Sequence, residues 1–201
     1  SRSYHGRDVY HIVGTGRTLG AFDWFFKVRD RYETYFDKEG AVPWEFIRDI
    51  REGSYTKYQT YRFYQLQSAV RTNKGETFKI PEGSQDMLSA FYFARTIDFS
   101  DALPGQIFTI PTFVDGEEYP LRVRFLGREN LKSRTGTYRC LKFVPVVQEG
   151  RIFKKEEDMT VWITDDLNKI PVLARAKVLV GSIKMELVEY KNLANPIAKV
   201  N

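Results

Sequence analysis

Period-two alternation of apolar and polar positions runs through most of this chain, and it is clearest over Met159–Asn192. Side chains along a strand point to opposite faces in turn, so a strand with one buried face repeats its apolar residues at every second position. In the middle of this stretch Ile170, Val172, Ala174, Ala176, Val178 and Val180 share one face, opposite Lys169, Pro171, Leu173, Arg175, Lys177 and Leu179. Upstream, Met159, Val161 and Ile163 alternate with Thr160, Trp162 and Thr164; downstream, Ile183, Met185 and Leu187 alternate with Ser182, Lys184 and Glu186. Asp165-Asp166-Leu167-Asn168 reads as a turn, because Asp and Asn bond their own backbone and tolerate left-handed φ. Gly181-Ser182 suits a two-residue type II′ hairpin with Gly181 at positive φ. The pattern predicts a three-stranded antiparallel meander with an apolar face against a core, and the rest of the chain is organised around it.

The same alternation predicts strands over Asp8–Gly14, Val28–Asp37 and Thr56–Leu66, a hairpin of Ser68–Thr72 and Thr77–Ile80 around Asn73-Lys74-Gly75, and strands over Gln106–Val114, Glu117–Leu126 and Thr137–Val147. Asp115-Gly116 is a hairpin dipeptide. Trp44–Glu52 fits a strand or a helix, and the flanking Gly40 and Gly53-Ser54 decide for strand. Thr18–Phe26 is apolar without clean alternation, and a short helical turn is one option there. One segment changes period: Ser84–Ile97 sets Met87, Phe91 and Ala94 at helical spacing, widened by Leu88 and Ile97, with Ser84 as N-cap and Gln85-Asp86 in the first turn.

With 201 residues the chain can bury a sizeable core. It shows no linker and no internal repeat, so residues 1–201 read as a single β-rich domain. The net charge of +5 is spread through 31 basic and 26 acidic residues without a basic stripe, which argues against a nucleic-acid footprint. No apolar run approaches the ~20 residues of a membrane-spanning helix. Cys140 stands alone, so no intrachain disulfide forms, and on an apolar strand it reads as a small core residue.

Candidate chemistry is sparse. Gly14, Gly16 and Gly20 resemble a phosphate-binding glycine loop, but the last spacing is four rather than three and no βαβ unit follows. His5 and His11 are the only histidines; a metal would need a third ligand such as Asp8 or Asp30, so neither metal nor cofactor is expected. Asp165 and Asp166 are adjacent in a turn, whereas paired catalytic carboxylates converge across a cleft. No catalytic pair emerges. What stands out is the aromatic share, 15%: Tyr55, Tyr58, Tyr61, Phe63 and Tyr64, with Trp44 and Phe46 nearby, suit either a broad sheet with cross-strand aromatic pairs or a groove for a lipid, glycan or peptide.

Four stretches, GRDVYHIVGTGRT, FFKVRDRYETYFD, SQDMLSAFYFAR and MTVWITDDLNKIPVLARAKVLVGSIKMELVEY, together resemble the bacterial domain-of-unknown-function family 3108, most specifically in the last. The resemblance implies an exported protein of the Bacteroidetes type, periplasmic or in the outer envelope, whose signal segment is absent from this chain. It supplies no functional residues. It also implies a shape like the half-open β-barrels of lipoprotein carriers. The expected fold is all-β: one long twisted antiparallel sheet curled into an incomplete barrel, with the Ser84–Ile97 helix on its concave side. The expected function is non-enzymatic binding of a lipid or other amphipathic ligand in a pocket lined by Tyr61, Phe63, Met87 and Phe91 with a basic rim. The alternative is a structural or protein-interaction module with an envelope partner, and behind it a cell-wall hydrolase.

Overall fold

The computed structural model describes residues 2–146, 159–177 and 182–200. Its strands fall into two compact units, Ser1–Ala94 with Ile110–Pro120, and Arg95–Thr109 with Leu121–Asn201.

In the first unit β1 (Arg2–Tyr4), β2 (Arg7–Arg17), β3 (Arg29–Asp37), β4 (Pro43–Glu52), β5 (Tyr55–Tyr64), β6 (Ala69–Thr72) and β7 (Thr77–Lys79) lie side by side in chain order, every neighbouring pair antiparallel. A short helix, α1 (Phe22–Phe25), sits between β2 and β3. The register aligns Ile12 with Thr34, Thr34 with Phe46, Phe46 with Tyr61, and Phe63 with Val70, so alternate residues share one face. That face carries the core of Phe46, Tyr61, Phe63, Val70, Ile80 and Phe113. Each such side chain contributes roughly 1.5–3 kcal/mol by leaving water. The opposite face is polar, with His11, Glu33, Tyr35, Glu45 and Arg62.

The expected helix over Ser84–Ile97 is shorter than its spacing suggested. Only α2 (Ser89–Ala94) is helical. Gln85 is held in a strand-like bridge instead: its N–H donates to Pro111 O at 2.8 Å and its carbonyl accepts from Phe113 N at 2.8 Å. The helix therefore starts only after Asp86, and the stripe of Met87, Phe91 and Ala94 never forms. Ser89 and Ala90 turn inward, Met87 and Leu88 pack half-buried on the core, and Phe91 is 59% exposed.

From α2 the chain supplies β8 (Ile107–Ile110) to a second sheet, then returns to the first unit for a small hairpin, β9 (Phe113–Val114) and β10 (Glu117–Glu118). Asp115 and Gly116, at φ 53° and 88°, make the expected tight turn with positive φ at both central positions. The second sheet continues with β11 (Leu121–Ser133), β12 (Gly136–Pro145), β13 (Met159–Thr164), β14 (Pro171–Lys177) and β15 (Ser182–Glu186), in the order β15-β14-β13-β12-β11-β8, with β16 (Lys199–Val200) also on β12. Strand β12 is buried on both faces. It gives Leu141 and Phe143 to a cluster with Phe99, Ala102 and Phe125, and Tyr138 and Cys140 to one with Trp162, Val172 and Leu173.

The meander of β13, β14 and β15 is present. Its last hairpin pairs Lys177 with Ser182, so Ser182 is a strand residue rather than part of a two-residue turn. Gly181, Val178 and Val180 lie outside the described residues. Among the described residues strand β15 is an edge, and Ile183 and Met185 are exposed on it instead of facing a core.

The fold is all-β and antiparallel in character, and neither sheet closes into a barrel. The expected single sheet is divided in two because nothing between Lys79 and Ile107 is a strand. Pro81, which has no N–H to donate, follows directly on the end of the first ladder. No helix among the described residues is long and apolar enough to cross a membrane.

Candidate functional site

A cluster of exposed apolar side chains of the first unit is gathered where β2 turns into β3. Trp24 is 91% and Phe25 87% exposed, and Leu19 and Phe26 accompany them. This lobe is not a slack loop. The Asp23 and Trp24 N–H groups bond to the Gly20 and Ala21 carbonyls, which forms the helical turn of α1. At the neck, Thr18 Oγ1 accepts from Val28 N at 3.0 Å and donates to Asp23 Oδ1 at 2.7 Å. Arg29 grips both oxygens of Asp23, at 2.6 and 2.8 Å. The Arg29 bond and then the Thr18 bond hold the Asp23 carboxyl down at about 2. Gly53 N donates to Lys27 O at 2.8 Å, and the Phe26 ring lies so close to Gly53 that a β-carbon there would meet it at 3.0 Å.

Beside the lobe lies an open cleft of about 330 Å³ lined by Lys27, Arg29, Arg51 and Gly53. Two of its cations carry a carboxylate partner, Arg29 with Asp23 and Arg51 with Asp49 at 2.9 Å. Lys27 has no ion-pair partner among the described residues. The cleft therefore presents guanidinium and ammonium donors suited to a phosphate or carboxylate, next to an apolar shelf formed by Trp24, Phe25 and Phe26.

The pocket expected from Tyr61, Phe63, Met87 and Phe91 is not assembled this way. Tyr61 and Phe63 are 2% exposed within the core, where Tyr61 packs edge-on to Phe113 at 5.2 Å. Met87 lies over them, with its sulfur 3.7 Å from Arg48 Nη1. Phe91 faces away. The basic group in this region is Arg48, itself buried, and its Nη2 bonds both Gln59 Oε1 and Asp115 Oδ1. Lys57 reaches the same Asp115 oxygen at 2.8 Å. Partial burial would raise the Asp115 carboxyl, but the bonds from Lys57 and Arg48 outweigh it and hold the group below its ordinary value.

Other residues singled out by the sequence have structural roles. Gly14 and Gly16 belong to β2, paired with Tyr32 and Asp30, and cradle no loop. His5 lies in the turn before β2 and is set apart from His11 by a row of rings, His5 edge-on to Tyr4, Tyr4 stacked on Tyr35 and Tyr35 on His11 with centroids 4.6–4.8 Å apart, and His11 Nε2 meets Glu33 at 2.5 Å. Asp8 pairs with Lys38, and Asp30 accepts from Arg51 N. In the second unit Asp165 pairs with Arg139 at 3.0 Å, and Asp166 accepts from Thr164 Oγ1, Asn168 N, Lys169 N and Ala198 N, as a turn-builder does. Along β5, Tyr58 and Tyr64 are exposed while Tyr61 and Phe63 are buried, the split that alternation predicts, and Tyr55, on the parity of the buried pair, is exposed at the strand's first position. Trp44 donates Nε1 to the buried Asp37 at 2.8 Å.

Trp24, Phe25, Phe26, Lys27, Arg29 and Arg51 were not singled out from the sequence. The available signal was the failure of alternation across Thr18–Phe26: consecutive apolar residues at a hairpin tip cannot all face a core.

Comparison with known proteins places the chain by family and by fold. The family of proteins of unknown function DUF3108 matches residues 1–188, and the chain belongs to it. No curated protein matches. Among solved structures, the chain resembles a β-barrel-like protein of domain of unknown function DUF1849 from Brucella abortus, with a TM-score of 0.53 and 9% identity over 82% of this chain and 73% of that one. A DUF1089 family protein from Pseudomonas aeruginosa aligns with a TM-score of 0.43 and 12% identity over 86% of this chain and 95% of that one.

Proposed function

We propose that this member of the DUF3108 family is a non-enzymatic, exported binding protein of the cell envelope, and that its ligand is amphipathic with an acidic head group. One observation carries the reading: an apolar shelf of Trp24, Phe25 and Phe26 stands against a cleft lined by Lys27, Arg29 and Arg51. The head group occupies the cleft and takes charge-assisted bonds. The apolar portion lies on the rings, where each buried methylene contributes roughly 0.8 kcal/mol. The neck bonds of Thr18, Asp23 and Arg29 fix the shelf before any ligand arrives, which reduces the ordering cost of binding. The site is on the surface because the sheet's apolar face is already filled by the chain's own side chains.

The test is a titration with a monomeric anionic alkyl phosphate below its micelle concentration, followed by tryptophan fluorescence and calorimetry. Saturable binding that is lost in Lys27→Gln/Arg51→Gln supports the reading. Binding that is absent, or unchanged in that variant, overturns it.

A second reading, an envelope protein-interaction module, is favoured by one feature of the second unit. Strand β15, at the edge of its sheet among the described residues, exposes Ile183 and Met185, as an edge open to strand addition would. Cross-linking in the native host, reading whether adducts map to β15, tests it.

A further inference from the structure

We infer that the lobe between β2 and β3 is an interfacial anchor that docks the first unit on an anionic lipid bilayer. The inference rests on the binding reading above and names the surface the site meets. Three features point to a bilayer as the place where the site meets that amphipathic ligand.

The first is the direction of the side chains. A ligand cavity turns its apolar side chains inward, whereas Trp24 and Phe25 stand out from the surface at 91% and 87% exposure. Large exposed apolar patches mark contact surfaces. Side chains projecting this far are covered by a medium that is apolar beneath a polar skin. Tryptophan in particular settles at the head-group level, with its ring in the apolar zone and its indole N–H at the polar one.

The second is charge. Residues 17–29 carry Arg17, Lys27 and Arg29 against the single carboxylate of Asp23, which Arg29 already occupies. Lys27 directly follows the aromatic run and lines the cleft. An aromatic tip with a cationic collar matches the layering of an anionic leaflet, with phosphates around the collar and acyl chains beneath.

The third is rigidity. The helical turn of α1, the Thr18–Asp23–Arg29 bonds and the contact of Phe26 with Gly53 hold the tip in place. A pre-set wedge inserts without first having to order itself.

The test is co-sedimentation of the full chain with vesicles of equimolar phosphatidylglycerol and phosphatidylcholine, against vesicles of phosphatidylcholine alone. The protein is expected to partition onto the anionic vesicles, less so as salt is added, with a blue-shifted tryptophan emission that is missing in Trp24→Phe. Trp24→Ser/Phe25→Ser is expected to lower the partition coefficient at least tenfold while the unfolding midpoint stays that of the wild type. Lys27→Gln is expected to lower it several-fold on anionic vesicles only. Leu66→Ser, which removes an equally exposed apolar side chain elsewhere in the same unit, is expected to change nothing. Failure of the wild type to bind anionic vesicles overturns the inference, as does full binding by the double variant or equal loss in Leu66→Ser. If vesicle binding fails while the monomeric alkyl phosphate still binds, the binding reading stands without the anchor; if both fail, both fall.

Discussion

Asp86 and Ser89 cap each other across the first turn of α2. Ser89 N donates to Asp86 Oδ1 at 2.8 Å, and Asp86 N donates to Ser89 Oγ at 2.9 Å. The same carboxylate accepts from Leu88 N at 2.7 Å and from Thr34 Oγ1 on β3 at 2.7 Å, so it ties the helix to the sheet. The group is fully buried, and burial pushes its carboxyl up to about 6 despite the three donors that reach it. A carboxyl whose folded pKa lies above its unfolded value of 3.8 is stabilised in its protonated form. Its contribution is therefore greatest below pH 3.8, falls as pH rises toward about 6, and is constant above that. The fall is on the order of 3 kcal/mol. Asp86→Asn keeps the accepting oxygen and cannot ionise. Urea unfolding across this range should show the variant's stability, relative to wild type, rising with pH by that amount; a constant difference would mean that Asp86 does not titrate there.

A second prediction concerns the buried cation. Arg48 is compensated by Gln59 and by Asp115, which the Asp115-Gly116 turn holds in place. Asp115→Ala leaves the guanidinium buried without its carboxylate and should cost about 3 kcal/mol. Lys57→Ala removes only a solvent-screened partner of the same Asp115 and should cost less than about 1 kcal/mol. Arg48→Met, which removes the need for a counter-ion, should be close to neutral. Denaturation midpoints of the three variants check the order.

The aromatics named from the sequence should separate sharply. Phe63→Ala opens a cavity in a closed core and should cost about 3–5 kcal/mol. Phe91→Ala trims a side chain that is 59% exposed and should stay within about 1 kcal/mol of wild type. Thermal unfolding of both variants provides the comparison.

Cys140 should be inert in the folded protein. Burial, with Glu129, Asp165 and Asp166 adding to it, pushes its thiol up to about 12. Labelling by a thiol reagent at mildly alkaline pH should therefore follow the unfolded fraction through a denaturant titration; rapid labelling of the native chain would contradict the placement of Cys140 between Tyr138 and Trp162.

Strands were legible because one rule governs them. On β5 the single alternation that buries Tyr61 and Phe63 also exposes Tyr58 and Tyr64. The helix is shorter than its spacing predicts because helical spacing has facial meaning only for residues that are helical. Met87 precedes the helix, held in the turn that Asp86 builds, so its spacing to Phe91 carries no facial meaning. Asp86-Met87-Leu88-Ser89 holds a capping signal that competes with Ser84, and the backbone pairing of Gln85 with the Pro111–Phe113 segment, which decides between them, is a long-range contact that no local window contains. The candidate site was missed for a related reason. Apolar residues raise the expectation of burial, and only the hairpin register, with Arg17 opposite Arg29, shows that Trp24 and Phe25 lie beyond the end of the ladder.

The broken path of the first unit also has a consequence for the chain as it is made. Residues up to Ala94 build all seven strands of the first sheet, yet Phe113, which closes its core against Tyr61 and Phe78, and Asp115, which neutralises Arg48, come only after the excursion through the second unit. A nascent chain emerging from the ribosome thus holds a nearly complete sheet with an open aromatic face and an unmatched buried cation until Pro120 has cleared the exit. Over that interval the sheet is a substrate for chaperones rather than a finished fold, and a passage that keeps the chain unfolded until synthesis ends would spare it that exposure.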